Sequence, residues 1–385
     1  MRYQFVDLLL RNFSTILKIF CLFLIVMKNK SILDEFYFIS TFSLFIYKLS
    51  TLSELNNYRR LSRDEDIYKK ISFAYFFPSL LRFFFYIFLL YLVTTVFNLS
   101  NNIYTILLFS FAVFITNYLG FVFLVNSEQI FSAIYSLISG LSLFCSILIS
   151  YFIDQFTLIN ISLLYFFVTV ILSVFFLYYR KDAHKFEKFN FFKLLKYTIN
   201  KNKNLIYQTK RSFFSLSNLS VQTIVAYIIS NYSLIDLNFK NYIIVLIFIS
   251  NNIIIIFDIF IKFPSSVDLA KGKFKNIYEK QIIIFSIIIL LLIILNLNYL
   301  KFNTEIITLI LVLLLYIFLS FLISLQDFFI QARTVSLKYI FTFIFVFVIF
   351  GFLVNYFYYY EYFLYGLILI PRFFIYLFNK IFMNF

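Results

Sequence analysis

The sequence predicts an all-α membrane protein of about twelve transmembrane helices, in two six-helix bundles with both termini cytoplasmic. Three observations lead to this prediction: the composition, the length of the apolar runs and the placement of Lys and Arg. Hydrophobic residues make up 63% of the 385 residues and charged residues 13%, with a mean hydropathy of +0.93. A soluble domain carries charge on about a quarter of its residues, so this composition indicates a membrane protein.

The predicted spans are apolar runs close to the length of about 20 residues that crosses a bilayer core. They are 9–27, 36–53, 71–97, 103–125, 130–153, 158–179, 213–235, 242–261, 281–299, 306–325, 339–355 and 362–382. The first run has no small-residue cleavage pattern after it, so we expect a retained span rather than a signal peptide.

The basic residues predict the orientation. With the N-terminus inside, the cytoplasmic segments hold 25 Lys and Arg residues, the outer segments hold 4, and 4 lie within spans. This is the bias expected for cytoplasmic loops beside anionic lipid. It accounts for the net charge of +15, so the sequence predicts contact with membrane lipids and no nucleic-acid partner.

The loops also repeat. A basic loop, 54–70, follows the first two spans, and another, 262–280, follows the seventh and eighth. The two halves, 1–179 and 213–385, are offset by roughly 205 residues and are joined by a basic linker, 180–212. Two bundles of the same orientation are typical of transporters that hold substrate between the bundles and alternate access by rocking.

Four cations lie inside predicted spans: Lys18, Lys48, Arg82 and Arg372. A cation at mid-bilayer is unfavourable by about 2.5–3.5 kcal/mol or more, so these residues are candidates for substrate binding. Acids do not balance them, since only Asp258 lies clearly within a span. This excess of cations predicts an anionic cargo, and Arg and Lys both suit a lipid pyrophosphate.

A sugar-bearing cargo also needs a polar cavity. The candidates to line it are Asn218 and Gln222 on span 7, four residues apart, and Asn251 and Asn252 on span 8. Asp258 is the candidate for ion coupling.

Each candidate also has a structural interpretation. Lys18 and Lys48 can extend toward the membrane interface, and Arg82 and Arg372 can bind backbone carbonyls exposed near prolines. Asp258 can pair with Lys262, and the Asn side chains can join helices.

The sequence predicts no metal site and no cofactor. Cys21 and Cys145 are isolated in apolar runs, and no Gly-rich nucleotide-binding loop is present, so we expect no catalytic residues and no nucleotide hydrolysis. Energy coupling would then come from an ion gradient, the membrane potential or consumption of the cargo outside.

Three stretches resemble a known family. They are SILDEFYFISTFSLFIYKLSTLSELNNYRRLSR at 31–63, the basic linker, and FPSSVDLAKGKFKNIYEK at 263–280. They are similar to the entry and exit of span 2, the bundle linker and the loop after span 8 in the MOP (multidrug/oligosaccharidyl-lipid/polysaccharide) superfamily, in its Wzx-type flippase branch.

The resemblance implies a flippase of undecaprenyl-pyrophosphate-linked oligosaccharide in a bacterial inner (plasma) membrane. Such a flippase serves surface polysaccharide synthesis (O-antigen of lipopolysaccharide, or capsule), so a polysaccharide polymerase and its chain-length regulator are expected partners. Two alternatives stay open. One is a membrane-embedded polymerase or glycosyltransferase, which the short outer loops disfavour. The other is a drug or small-molecule antiporter of the same fold, which would need Asp258 as its protonatable acid.

Overall fold

The computed structural model describes residues 2–51, 76–96, 103–125 and 129–179 as continuous stretches. It also describes 222–223, 225–226, 229, 240–241, 243–245, 247–248, 251, 311–312, 314–320, 322–323, 369–370 and 372–377. Within these residues the chain forms helices and turns, and no strand. The chain divides into two compact units, Met1–Ile244 and Val245–Phe385.

Among the residues described up to position 179, the chain forms six long helices. They are α1 (Arg2–Lys28), α2 (Leu33–Ser50), α3 (Phe76–Val96), α4 (Ile103–Val125), α5 (Gln129–Phe152) and α6 (Leu158–Tyr179), with a 3₁₀ turn at Lys30–Ile32 between α1 and α2. The predicted spans 103–125 and 158–179 have the same bounds as α4 and α6. Apolar run length therefore locates these helices well.

In the described part of the chain, four helical segments are long and apolar enough to cross a membrane: Leu9–Lys28, Ile103–Phe121, Ile130–Phe152 and Leu158–Tyr178. The all-helical prediction is confirmed for the described residues. The number of twelve spans, the orientation and the bundles 1–179 and 213–385 stay predictions. The linker 180–212 and most of the later spans lie outside the described residues.

Helix α1 begins earlier than its apolar run. It starts at Arg2 rather than near residue 9. An ion pair one turn apart, Arg11 Nε to Asp7 Oδ1 at 2.9 Å, lies in this extension. Pairs at this spacing stabilise a helix whose residues are too polar to be recognised by hydropathy.

Several hydroxyl groups inside the helices bond to the backbone of their own helix. The Oγ of Ser43 donates to the Ile39 carbonyl at 2.6 Å, and that of Ser146 donates to the Ser142 carbonyl at 2.6 Å. Thr116 does the same with the Ala112 carbonyl at 3.1 Å. Such bonds satisfy a hydroxyl where no water is present, which lets Ser and Thr occur in apolar spans.

The core of the first unit lies around α4 and α5. Helix α4 packs against α2, α5 and α6, and α5 packs against α1, α4 and α6. Where α4, α5 and α6 meet, the rings of Phe123 and Tyr135 stack at 5.4 Å, and Phe176 meets Tyr135 edge-on at 5.4 Å. Between α2 and α4, the buried hydroxyls of Ser43 and Ser110 lie 2.9 Å apart.

The outer faces of the peripheral helices are apolar. Exposed side chains recur every three or four residues along two helices: Leu9, Phe13, Ile16, Phe20, Phe23 and Met27 on α1, and Ile159, Leu163, Phe167, Ile171, Val174 and Tyr178 on α6. Continuous exposed apolar stripes of this length are unusual for a soluble protein and fit contact with lipid tails.

Helices α1 and α5 approach closely through small residues. Ser132, Ser136 and Gly140 are spaced by four on α5. The Ser14 Oγ of α1 donates to the Ser136 carbonyl at 2.6 Å, and Arg11 Nη2 donates to Ser132 Oγ at 3.1 Å. Small residues at this spacing let two backbones approach and are a common basis of helix association in membranes.

We expect Gly140→Ala to destabilise the α1–α5 contact. A Cβ at this position would lie 2.7 Å from Ser14 Oγ and 2.9 Å from the Ser14 carbonyl oxygen, so the backbone of α1 must move. Overpacking of this kind lowers the free energy of unfolding by about 1–3 kcal/mol. Thermal unfolding in detergent measures the effect.

The matched control is Gly120→Ala on α4. Its Cβ would meet only the Tyr135 Cβ at 3.3 Å and the Ser132 carbonyl at 3.5 Å, so a smaller loss is expected. Equal losses in the two variants would contradict a tight α1–α5 contact at Gly140.

Candidate functional site

The predicted substrate-binding cations of the first unit lie on three different helices. Lys18 is half-buried on α1, one turn before the buried Cys21. Lys48 is half-buried near the end of α2, with its Nζ 5.9 Å from the ring centroid of Tyr47. Arg82 is half-buried on α3, and its Nη2 donates to Ser79 Oγ at 3.4 Å.

The remaining predicted site residues lie in the second half of the sequence. Gln222 is half-buried in a helical stretch, and Asn251 is also half-buried. Asn218, Asn252 and the predicted coupling residue Asp258 lie outside the described residues.

Two of the predicted residues, Arg372 and Asn251, meet in the second unit through a tyrosine. Arg372 is 3% exposed, and its Nη2 donates to the hydroxyl of Tyr316 at 2.6 Å. That hydroxyl in turn donates to Asn251 Oδ1 at 2.8 Å. The second amino group, Nη1, donates to Ser320 Oγ. We call these four residues the Arg372 cluster.

The helix at 314–320 places both acceptors of the guanidinium. Tyr316 and Ser320 are four residues apart, so they lie on the same helix face, and Ser320 Oγ donates to the Tyr316 carbonyl at 2.6 Å. The guanidinium carbon lies 3.9 Å from the centroid of the Tyr316 ring. The ring and the two hydroxyls therefore fix the plane of the guanidinium.

Arg372 has neutral hydrogen-bond partners in the described part of the chain. Within the described residues, two N–H groups of Arg372 are used in these bonds and no carboxylate pairs with it. A guanidinium has five N–H donors in a flat fork that matches the oxygens of a phosphate or carboxylate. The amide, hydroxyls and aromatic face beside it are groups that also suit a sugar.

Sequence reasoning missed Tyr316 and Ser320. The chain has 31 tyrosines, so a tyrosine in an apolar run does not by itself indicate a binding site. The partners of Tyr316 are 56 and 65 residues away, and helical spacing carries no information over such distances. Only the spacing of four between Tyr316 and Ser320 could have pointed to a shared face.

Polar contacts between distant segments gather around the turn between α1 and α2. Lys240 Nζ lies 2.8 Å from Asp34 Oδ2, and the two side chains are 8% and 14% exposed. Next to this pair, Asn241 Nδ2 donates to the Lys30 carbonyl at 3.2 Å. Lys30 and Lys240 are two of the four basic residues predicted on the outer side, and the sequence gives no sign of their contacts with segments about 200 residues away.

A more exposed ion pair lies at the same turn. Lys28 Nζ lies 2.7 Å from Asp154 Oδ1 and 4.6 Å from the ring centroid of Tyr151. Asp154 is in the turn between α5 and α6 at φ 57°, a left-handed conformation that Asp tolerates better than most residues. This pair joins the α1–α2 turn to the α5–α6 turn.

Comparison with protein-family models, curated proteins and solved structures finds no match for this chain. In the described part of the chain, no three His, Cys, Asp or Glu side chains gather in a way that could hold a metal ion. The apolar helices, the Arg372 cluster and the contacts at the α1–α2 turn are therefore the features of the molecule that bear on its function.

We expect Tyr316→Phe to lower the free energy of unfolding by about 1.5–3 kcal/mol, because a hydrogen bond to a buried charged group is lost while the ring stays over the guanidinium. Thermal unfolding in detergent measures the loss. Tyr104→Phe, at a position 69% exposed on α4, is the control and is expected to change stability by less than about 0.5 kcal/mol. Equal stability of the two variants would contradict the cluster.

The Lys28–Asp154 pair predicts a pH effect. The hydrogen bond from Lys28, and then its charge, hold the pKa of Asp154 below its usual range. A depressed folded-state pKa contributes stability above the pKa of the unfolded chain, and that stability is lost as the pH falls through the folded pKa.

We therefore expect Asp154→Asn to lower the unfolding temperature at neutral pH and to have no effect below the folded pKa of Asp154. The measurement is the difference in unfolding temperature between the two proteins across pH. A difference that does not change with pH would show that the ionised pair contributes nothing.

Proposed function

We propose that this chain is a flippase that carries undecaprenyl-pyrophosphate-linked oligosaccharide units across a bacterial inner membrane. It serves surface polysaccharide synthesis and hands its cargo to the polymerase. The observation that carries the proposal is the buried Arg372 cluster, in which a guanidinium in an apolar helix has hydroxyl and amide neighbours.

The membrane setting supports the proposal first. Four apolar helical segments have the length of a membrane span, and the exposed faces of α1 and α6 carry apolar stripes. A protein with this surface is expected to lie in the bilayer and to act within or across it.

The charge of the cluster supports an anionic cargo. Burying a guanidinium is unfavourable, and neutral hydroxyls compensate only part of the loss of hydration. Among the described residues no carboxylate balances Arg372, so an anion bound there would gain from the field of an uncompensated cation. A pyrophosphate ester supplies such an anion, with oxygens spaced for the guanidinium fork.

The neighbours of Arg372 support a sugar next to that anion. The amide of Asn251 and the hydroxyls of Tyr316 and Ser320 bond within the cluster, and a sugar would bind by exchanging its own hydroxyls for some of these bonds. Sites of this composition bind hydroxylated ligands through a few placed polar groups. The resemblance of 31–63, the linker and 263–280 to Wzx-type flippases supports the same cargo.

The test is deletion of the gene in the native host, with complementation by variants. We expect deletion to remove surface polymer while complete lipid-linked repeat units accumulate on the cytoplasmic leaflet. Arg372→Ala should reduce export by about tenfold or more, since a charged hydrogen bond contributes roughly 1.5–3 kcal/mol, and Arg372→Lys should retain part of it.

The control variant is Lys28→Ala, which removes one cation from a partly exposed pair at the end of α1 and should leave export near the unaltered level. Immunoblots of membranes confirm equal amounts of each variant. Repeat units that reach the outer leaflet in the deletion strain but stay unpolymerised would rule out a flippase and favour a polymerase.

A further inference from the structure

The contact between α5 and α6 is lined by buried hydroxyl groups. Helix α6 has an apolar exposed face, but its buried face carries hydroxyl side chains that are at most 3% exposed. They recur every three or four residues and so lie on one face: Ser162, Tyr165, Thr169 and Ser173. Helix α5, which packs against α6, carries Ser139 and Ser142 on its buried face. We call these residues the hydroxyl seam.

One contact joins the two helices across the seam. The hydroxyl oxygens of Ser139 and Tyr165 lie 3.2 Å apart. The short turn 153–157 connects α5 to α6, so the two helices run antiparallel. Ser142 follows Ser139 by three residues and Ser162 precedes Tyr165 by three. The hydroxyl-bearing residues Ser142 and Ser162 therefore lie within about one helical turn of each other across the seam.

Several hydroxyls of the seam lack a protein partner. Within the described part of the chain, four of its buried hydroxyl oxygens have no hydrogen-bond partner: those of Ser142, Ser162, Thr169 and Ser173. Ser146, on the same helix as Ser142, instead donates to a carbonyl of its own helix. A buried hydroxyl without a partner is unfavourable, and such groups are rare in native proteins. Four of them on one helix contact indicate that a small hydrogen-bonding molecule binds there.

We propose that the hydroxyl seam binds a row of water molecules that bridge α5 and α6. The side chains of the seam are at most 7% exposed, which leaves space for water and for no larger molecule. A buried water makes about three hydrogen bonds, and the hydroxyls of the two helices with the carbonyls beside them supply that number. Each hydroxyl can both donate and accept, which suits a molecule with two donors and two acceptors. This site is independent of the cargo, so it goes beyond the proposed function.

The sign of a stability change distinguishes a hydrated seam from a dry one. Thr169→Val removes the hydroxyl and keeps the shape of the side chain. Because the substitution takes a partner from the bound water, we expect the unfolding temperature in detergent to fall by a few degrees. In a dry seam the same substitution removes a hydroxyl without a partner, and the unfolding temperature rises.

Ser162→Ala and Ser146→Ala form a matched pair of variants. Both replace a buried serine inside a helix by alanine, so the gain in helix propensity is the same for the two. Ser146 bonds to the backbone of its own helix, whereas the described residues give Ser162 no partner. We expect Ser162→Ala to unfold at the lower temperature, since it loses a bond to water. The reverse order, or no difference, would contradict water at Ser162.

Radical labelling of the unaltered chain detects the water directly, whether or not the variants fold. The protein in detergent is equilibrated in isotopically labelled water and exposed to a short X-ray pulse. The pulse converts bound water into hydroxyl radicals that modify the nearest side chains. We expect Tyr165 to take up the label several-fold more than Phe114, which is similarly buried but lies between the rings of Phe83 and Tyr118.

Either of two results would overturn the water row. One is a higher unfolding temperature for Thr169→Val, and the other is uptake of label at Tyr165 that is no greater than at Phe114. A lower unfolding temperature for Thr169→Val, together with label at Tyr165, is the result that supports it.

Discussion

The absence of water in a bilayer core is the constraint on which the rest of this structure depends. Backbone polar groups within a span must find their partners in the protein, and polar side chains are most favourable when they do the same. Helix formation pairs the backbone N–H and carbonyl groups. The hydroxyls of Ser43 and Ser146 each donate a hydrogen bond to the backbone carbonyl four residues earlier. The same constraint explains why the Arg372 guanidinium is fixed by Tyr316 and Ser320, since an unbonded buried cation would be far less favourable.

The same constraint decides what holds the helices together. Lipid tails are as apolar as Leu or Phe, so burial of large apolar side chains gives little preference for protein over lipid. Helices α1 and α5 instead associate where Ser132, Ser136 and Gly140 allow close approach and hydrogen bonds from Ser14 and Arg11. Large residues such as Phe13 and Phe20 remain on the exposed face.

Much of the first unit could be predicted because apolar length is a local property. The bounds of α4 and α6 follow from uninterrupted apolar runs. The start of α1 could not be predicted in this way, since the Asp7–Arg11 pair extends the helix with polar residues. For the candidate site, Arg372 was found because Arg is rare in a span. Tyr316 and the Asp34–Lys240 pair were not found, since their contacts join residues 56 to 206 positions apart.

Two groups of described cations differ in the chemistry of their partners: those paired with a carboxylate, and Arg372. Arg11, Lys28 and Lys240 each have a carboxylate partner within 3 Å, so their charges are neutralised within the protein. Arg372 has hydroxyl partners that orient it without neutralising it. A neutralised cation has little field left for a ligand, whereas an oriented one attracts an anion from a distance and binds it in a fixed geometry. By this reasoning Arg372 is the cation best suited to binding an anion, and the paired cations are suited to holding segments together.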